Sequence, residues 1–499
     1  MNKQIRVGAI LQYVQMFLSI FISLVYTPMM LKMLGQSEYG LYNLASSIIS
    51  YLSLLSLGFG ASYVRFYTLY KKNNPSKISN LNGLYFAVFL IIGFVALVVG
   101  TFISFNVSIF FNNTYSHADI SIAKALMIVL TINLAISFPM SLFSSYVISQ
   151  EKFIFQKIIN IGKTVLSPAI SIVALFFGYG SIGLVVITTI VSIVVDIINI
   201  YYCFKKLKFK IALRKVEWCV FKDIAVFSVF IAINQIIDQI NWQTDKIILG
   251  KMMTSAAVSI YAIGAVFNTY FIQFSTAISS LFVPKINRIV IENKPNKNAE
   301  LTKIMTSVGR IQFMILSLIL LGFVFFGKRF IQIWAGQEYT ESYYVALVLM
   351  IPELFPLIQN IGIEIQRAEN KHQFRSIVYL IMALVNVAIT ILLVAHYGII
   401  GAAIGTSISI VLANILIMNI YYHFCLKINI LYFWKGIVLI LPSLIVPSLI
   451  GYFLSIESVN SFAGLLKAIF VFVSFYVLFV FAFGLNRNER NAVKKILKV

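Results

Sequence analysis

Long apolar runs separated by short polar segments make up almost the whole chain. Each run has roughly 20 residues or more, the length that an α-helix needs to cross a hydrocarbon core about 30 Å thick. The pattern predicts an all-α polytopic membrane protein. We predict about fourteen transmembrane spans, numbered in chain order, at residues 8–31, 40–67, 81–105, 120–148, 155–177, 181–204, 223–250, 256–283, 303–326, 342–366, 375–395, 399–424, 434–454 and 461–484.

Span 7 departs from this apolar pattern. Asn234, Asp238, Asn241 and Asp245 recur at steps of four, three and four residues, which stacks them on one face of a helix. A charged side chain at the centre of a bilayer costs about 2.5–3.5 kcal/mol even on the most lenient scale. We therefore expect this face to look into protein or water, and it predicts a cavity.

The composition agrees with a membrane protein, because 60% of the residues are hydrophobic, 11% are charged and the mean hydropathy is +0.92. Thirty of the 39 basic residues fall in segments on one side of the predicted membrane and five on the other. This bias predicts a multi-pass protein of the cytoplasmic (plasma) membrane with both termini in the cytoplasm. It also argues against nucleic acid as a partner, since the basic residues follow the membrane topology and attract anionic headgroups.

An internal repeat is indicated by short motifs that return in the same order. Spans 1–6 map onto spans 7–12, so the two copies enter the membrane with the same orientation and form parallel repeats. In this alignment Ser23 and Tyr26 of span 1 correspond to Asp238 and Asn241 of span 7. The returning motifs are Phe138-Pro139 and Phe355-Pro356, Tyr179–Gly183 and Tyr397–Gly401, and Asn199–Tyr202 and Asn419–Tyr422.

The repeat gives the predicted domain organisation. A basic cytoplasmic linker with interleaved apolar residues joins the two lobes and has the pattern of an interfacial helix. Two spans follow the second lobe, and a basic cytoplasmic tail ends the chain. The predicted divisions are 1–204 for the N-terminal lobe, 205–222 for the linker, 223–424 for the C-terminal lobe, 425–485 for the two additional spans and 486–499 for the tail.

Four motifs, in this order on the predicted spans, resemble one family of transporters. They are Leu34–Tyr42 (LGQSEYGLY), Leu57–Gly60, Asp245–Gly250 and Phe330–Gly336. The chain resembles the polysaccharide-transporter branch of the multidrug/oligosaccharidyl-lipid/polysaccharide exporter superfamily. These flippases move lipid-linked repeat units of O-antigen, capsule and exopolysaccharide.

The resemblance implies a fold, a mechanism and a cargo. The fold is two six-helix lobes around a central cavity, with two additional C-terminal helices. The cargo is an undecaprenyl-diphosphate-linked oligosaccharide, carried from the inner to the outer leaflet by alternating access for cell-surface polysaccharide biosynthesis. Lipid-linked oligosaccharide and membrane lipid are the implied partners, and docking of a polysaccharide polymerase and chain-length machinery stays open.

Such a cargo needs cations for its diphosphate and polar groups for its sugars. The candidate cations within or beside the spans are Arg65, Lys163 and Arg310; the alternative is that each extends its charge to the headgroups. The candidate polar residues are Ser23, Tyr26, Asn234 and Asn241.

Three carboxylates, Asp238, Asp245 and Glu353, are candidates for cavity lining or for coupling to a proton or sodium gradient. The alternative for each is a hydrogen bond or ion pair that packs helices. No other cofactor and no bound metal are expected.

Other functions fit the sequence less well. His117, His372, His396 and His423 are scattered over different loops and helix ends, and no phosphate-binding glycine loop or metal-ligand spacing occurs, so we predict no enzyme and no catalytic residue. A peptidoglycan-precursor (lipid II) flippase is the main alternative. A cation-coupled multidrug exporter is a weaker alternative. Members of that class resemble this chain in their two lobes but typically have twelve helices, and the two additional predicted spans argue against it.

Overall fold

The computed structural model describes residues 3–112, 114–212, 218–456, 461–487 and 489–491. Within these ranges the chain is helical, with short turns and no strand. The α-helices are α1 (Lys3–Ser50), α2 (Phe59–Asn73), α3 (Ile78–Phe105), α4 (His117–Ser149), α5 (Phe153–Phe176), α6 (Gly180–Lys205), α7 (Trp218–Met252), α8 (Ser255–Ser280), α9 (Val283–Glu292), α10 (Lys297–Trp334), α11 (Glu341–Ile358), α12 (Asn360–Ala368), α13 (Gln373–Ile410), α14 (Asn419–Phe424), α15 (Ile430–Val438), α16 (Pro442–Ile456) and α17 (Phe462–Phe479).

Among the described residues, eleven helices are long and apolar enough to cross a membrane, or up to twelve if α15 and α16, bent by 44°, form one span. The predicted class, an all-α polytopic membrane protein, is confirmed. The predicted number of fourteen spans is not.

Two of these helical runs are longer than one crossing. Ile10–Asn73 contains 64 residues and Gln373–Phe424 contains 52. At 1.5 Å per residue the first would extend about 96 Å if straight, three times the hydrocarbon thickness. Gly35 (φ 73°, ψ 173°) and Gly398 (φ 57°, ψ −135°) interrupt the helical backbone within these runs. The predicted pairs of spans 1–2 and 11–12 fall in these two runs, and their separate count stays a prediction.

The chain forms two compact units, Met1–Ser259 and Ile260–Val499. In the first unit α7 packs on α1 and α2. The sequence prediction starts the second lobe at residue 223 and so assigns α7 to it. A sequence repeat reflects duplication of a segment, whereas a compact unit is defined by packing contacts. The two boundaries therefore need not coincide, and the predicted domain limits stay a prediction.

The same local backbone occurs once in each unit, at the ends of α6 and α14. We call residues 201–210 the α6 corner and residues 420–429 the α14 corner. In the α6 corner the Leu207 and Phe209 amides donate to the carbonyls of Tyr202 (3.2 Å) and Cys203 (3.0 Å). Residues 219 positions later, Leu426 and Ile428, donate to Tyr421 (3.2 Å) and Tyr422 (3.0 Å). This matched pattern is structural support for the repeat.

Leu34–Tyr42, one of the motifs on which the resemblance rests, connects several helices of the first unit. Glu38 Oε1 accepts hydrogen bonds from the amide (2.6 Å) and the hydroxyl (2.7 Å) of Ser181, in the first turn of α6. A carboxylate at a helix N-terminus satisfies free amides and complements the helix dipole. Gly180 (φ 59°) permits this approach, because a Cβ there would lie 2.6 Å from Glu38.

The same motif also contacts the start of α8. A Cβ on Gly40 would lie 1.8 Å from the carbonyl oxygen of Ser255, so the two backbones touch at a position that only glycine fits. The hydroxyls of Ser37 and Ser255 are 2.8 Å apart. The motif therefore ties the bend of α1 to the first turns of α6 and α8.

The predicted interfacial helix in the linker is wrong for residues 206–212, which are not helical. The side chains of Tyr146 and Asn82 donate to the carbonyls of Leu207 (3.3 Å) and Lys210 (2.9 Å). These bonds hold the segment in an irregular, extended path on α3 and α4. Residues 213–217 of the predicted linker lie outside the described residues.

Candidate functional site

The predicted polar stripe of α7 changes its environment along the helix. Asn234 and Asp238 are exposed, Asn241 is half-buried, and Asp245 is buried with 1% of its surface exposed. Asn234, Asp238 and Asp245 each interact with neighbouring groups. The structure therefore exposes the first half of the stripe and encloses its end.

The exposed half of the stripe differs from the other exposed surface of α7. Val226 and Val229 are apolar and about half exposed, as expected for lipid contact. At 100° per residue, Asp238 lies more than 100° around the helix from both. The helix thus has an apolar exposed face and a polar exposed face, which is the arrangement that the cost of burying charge in lipid requires.

A row of polar contacts that sequence reasoning missed runs beside the stripe. We call it the polar seam: Ser47, Ser50, Tyr51 and Ser53 at the end of α1 and just after it, and Gln239, Gln243 and Thr244 on α7. Gln239 accepts from the Ser50 hydroxyl at 3.1 Å and donates to Ser53 at 3.2 Å. Gln243 accepts from Ser47 at 2.9 Å, and Tyr51 and Thr244 share a short hydrogen bond. The seam fixes the rotation of α7 and so decides which of its faces is exposed.

Ser23 and Tyr26 are placed on α1. The Ser23 hydroxyl lies 3.4 Å from the hydroxyl of Thr27, one turn along the same helix. Tyr26 is half-buried and its side chain lies beside Ser171 on α5. Both contacts are explained by helix packing, and neither brings these residues to the α7 stripe.

Arg65, one of the candidate cations, contacts α7 in the first unit. Its side chain is exposed on α2, and its guanidinium carbon is 4.2 Å from the ring centre of Phe227 on α7. Phe227 precedes Asp238 by eleven residues, about three turns, so the two share one face of α7. The cation–π contact sets Arg65 against the face that carries the exposed polar residues.

Lys163 is also exposed, in the middle of α5. Its ammonium interacts electrostatically with Asp196 on the neighbouring helix α6. The structure does not bring Lys163 and Arg65 into contact. Both remain candidates for binding a phosphate group.

Arg310 has a different environment, in the second unit. It is buried on α10, and Glu489 binds its guanidinium with both oxygens, at 2.7 Å from Nε and 2.9 Å from Nη2. Nη2 also donates to the Gly484 carbonyl at 2.7 Å, and Nη1 donates to the Gly436 carbonyl. These four hydrogen bonds use nearly all five N–H donors of the guanidinium. The contacts fit a structural ion pair better than a phosphate site.

Glu489 is the partner that the sequence analysis missed. It follows the last predicted span and is the only acidic residue in the otherwise basic segment 486–499. That isolation is the signal that could have identified it, since a buried arginine needs a carboxylate.

Glu353 lies on α11 beside Pro352 and is half-buried in the second unit. Its predicted role in cavity lining or coupling stays a prediction. Among the described residues, no group of three or more His, Cys, Asp or Glu side chains could hold a metal ion.

Comparisons with known proteins bear on the whole chain. A family model described as "Polysaccharide biosynthesis protein" matches residues 29–344. A putative O-antigen transporter of Shigella flexneri is 25% identical over 410 residues, covering 79% of this chain and 91% of that protein. An uncharacterized membrane protein, EpsK, of Bacillus subtilis (strain 168) is 23% identical over 506 residues, covering 96% and 95%.

Among solved structures, the lipid II flippase MurJ in an inward closed conformation aligns with a TM-score of 0.72 at 18% identity, covering 96% of this chain and 98% of that chain. At this identity the likeness concerns the fold alone. The fold resemblance drawn from the sequence motifs is confirmed.

Proposed function

Because this chain belongs to the family of polysaccharide biosynthesis proteins, we propose that it is a flippase that moves a lipid-linked oligosaccharide from the inner to the outer leaflet of the cytoplasmic membrane. The name of the Shigella flexneri relative, a putative O-antigen transporter, supports this class of cargo. The proposed carrier lipid is undecaprenyl diphosphate. Such a protein is a transporter and not an enzyme.

The observation that carries the proposal is the exposed polar face of α7. Asn234 and Asp238 are exposed on a helix that is apolar enough to cross the membrane. A carboxylate in that position needs water, polar protein groups or a polar ligand beside it, because lipid would penalise it by about 2.5–3.5 kcal/mol. A sugar headgroup in transit is such a ligand. A purely structural membrane protein would not need this face.

The proposed roles follow the environments of the side chains. Arg65 and Lys163, both exposed, bind the diphosphate, and Asn234 and Asn241 bind the sugar. Asp238 lines the path. Glu353 is the proposed coupling carboxylate for a proton or sodium gradient. We leave Arg310 out of the proposed site, because its donors are already used by Glu489 and two carbonyls.

Alternating access is the proposed mechanism, with both termini of the chain in the cytoplasm. The two repeats would open the polar face first to one leaflet and then to the other. A polysaccharide polymerase and chain-length proteins are the proposed partners that consume the cargo on the outer side.

The test is depletion of the chain in its own host. We expect an undecaprenyl-linked oligosaccharide to accumulate on the cytoplasmic face while surface polysaccharide falls, measured by mass spectrometry of extracted lipids and by staining of the cell surface. Wild-type chain should restore export, and Asp238→Asn should restore it poorly at equal membrane abundance. Lys246→Gln, the matched change at the partly buried residue next to Asp245, should restore export well.

Each other outcome has a distinct meaning. Accumulation of the peptidoglycan precursor lipid II would replace the proposed cargo with that of the alternative flippase. A fall in dye efflux without any accumulated lipid would favour a multidrug exporter. Full export by Asp238→Asn would reject the proposed site and leave the proposed function in place.

A further inference from the structure

The α6 and α14 corners share their backbone but differ in charge. The α6 corner carries Lys205, Lys206, Lys208 and Lys210, all exposed. At the four positions 219 residues later, the α14 corner has Phe424, Cys425, Lys427 and Asn429. Since the hydrogen-bond pattern is the same in both, the backbone does not require the three additional lysines.

One lysine in each corner has a backbone conformation that favours glycine. Lys208 has φ 53° and Lys427 has φ 54°, both in the left-handed region. This conformation at the end of a helix is usually taken by glycine, because a Cβ is disfavoured there. Because both corners share this conformation, it does not distinguish them, and the difference between them is the three additional lysines of the α6 corner.

The α6 corner is held rigidly on the first unit. Phe209 is 4% exposed, and its ring centre is 4.6 Å from Tyr146 and 5.3 Å from Phe143. Asn82, which donates to the Lys210 carbonyl, is itself bonded by the Tyr63 hydroxyl at 2.7 Å. The lysines on either side of Phe209 therefore project from a backbone that is already ordered, so binding costs the entropy of the lysine side chains but little further backbone entropy.

Two exposed aromatic side chains beside the lysines agree with a position of the corner at a membrane surface. Tyr201 and Phe204 are 58% and 49% exposed at the end of the membrane helix α6. The Lys205 ammonium lies 4.9 Å from the ring centre of Tyr201 and 2.5 Å from its hydroxyl. Aromatic side chains with adjacent lysines are typical of the headgroup layer, where apolar and charged groups meet.

We propose that the α6 corner is a binding site for the phosphate groups of anionic phospholipids. Four lysines within six residues on an ordered backbone match clustered phosphates, and the exposed aromatic rings match the adjoining acyl chains. The proposal needs only that the chain is embedded in a membrane, so it stands apart from the proposed transport function. The α14 corner, with one lysine, has the same backbone and serves as an internal control.

The experiment uses the full chain in nanodiscs of phosphatidylcholine with increasing phosphatidylglycerol, and native mass spectrometry counts the phosphatidylglycerol molecules that remain bound. We expect wild type to retain phosphatidylglycerol over phosphatidylcholine. The triple variant Lys205→Gln/Lys206→Gln/Lys210→Gln, which gives the α6 corner the charge of the α14 corner, should bind at least about tenfold more weakly. The control Lys427→Gln should change binding by less than about twofold.

A second variant separates the effect of the lysine charge on lipid binding from an effect on folding. Lys208→Gly should raise or preserve the melting temperature, because glycine accepts the left-handed backbone, and should still weaken phosphatidylglycerol binding by about fivefold. A structural role for Lys208 would instead lower the melting temperature together with the binding.

Several results would overturn the proposal. The triple variant could bind phosphatidylglycerol as wild type does, or Lys427→Gln could lose as much binding as the triple variant, which would indicate charge without a site. Binding of an undecaprenyl diphosphate probe but not of phosphatidylglycerol would assign the corner to a different lipid.

Discussion

Arg310 and Lys163 look alike in the sequence and differ in the structure. Each is a basic residue inside an apolar helix, and each was predicted to meet a phosphate. Arg310 is buried and bound by a carboxylate 179 residues away, whereas Lys163 is exposed on α5. Depth within a helix therefore does not decide the role of a charge. What separates the two is that Arg310 is enclosed and bound by both oxygens of a carboxylate, whereas Lys163 is exposed beside Asp196.

The largest effect is expected when the carboxylate partner of Arg310 is removed. Glu489→Gln leaves a buried guanidinium without a counter-charge, and we expect a loss of about 3–5 kcal/mol in the free energy of unfolding. Thermal unfolding of the purified chain and its abundance in the membrane measure the effect. Arg487→Gln, an exposed neighbour, is the control and should be neutral.

A double variant completes this test. Arg310→Met with Glu489→Leu removes both charges, and apolar replacement of a buried pair is often neutral. We expect stability near that of wild type and normal polysaccharide export. A stable double variant that cannot export would return Arg310 to the substrate site.

A smaller effect is expected at Lys163, and on function alone. Lys163→Gln should reduce export about tenfold, the size of a lost hydrogen bond to a charged group. The melting temperature should stay unchanged because the side chain is exposed. Lys467→Gln, an exposed lysine within α17, is the matched control for export rate. Normal export by Lys163→Gln would show that exposure in a helix is no better a guide than depth.

The smallest effect is expected outside the spans, at Glu369. Its oxygens lie 3.0 Å from Lys297 Nζ and 2.8 Å from Lys371 Nζ. Burial alone would raise the pKa of Glu369, but the hydrogen bonds from the two lysines lower it below its usual value. Because the Lys371 side chain is 46% exposed, Lys371→Gln should cost no more than about 1 kcal/mol.

The same lowered pKa gives the direction of a pH effect. The carboxylate contributes stability while it is ionised, and this contribution is lost as the pH falls below about 4.3, through the lowered pKa. Melting temperatures of wild type and Lys371→Gln should therefore converge in acid. A difference that stays constant from pH 7 down to about pH 3, well below the usual pKa of Glu, would contradict this assignment.

Part of the fold could be predicted from the sequence, because it depends on local pattern. Apolar runs of membrane length predict the helices, and motifs such as Tyr179–Gly183 and Tyr397–Gly401 predict the repeat that the two corners support. The polar stripe of α7 was also visible from spacing alone. In each case the physical cause lies within a few turns of one helix.

The remaining features depend on packing between distant residues. Spacing predicts that Asp238 and Asp245 share a face. That Asp245 is buried while Asp238 is exposed depends on what packs around each turn of α7, such as the serines at the end of α1 that bond Gln239 and Gln243. The Arg310–Glu489 pair likewise joins helix α10 to the end of the chain. No periodicity along one helix encodes such partners.

The two glycines of the Leu34–Tyr42 motif would respond differently to insertions and deletions. Gly35 has nothing within 4 Å of a side-chain position, so only its backbone angles exclude other residues. A change in turn length could relax those angles and release the position. Gly40 faces the Ser255 carbonyl directly, and no change in its own backbone angles would create room. We therefore expect related sequences to vary in chain length before Gly40 and to keep a glycine opposite the carbonyl that Ser255 supplies here.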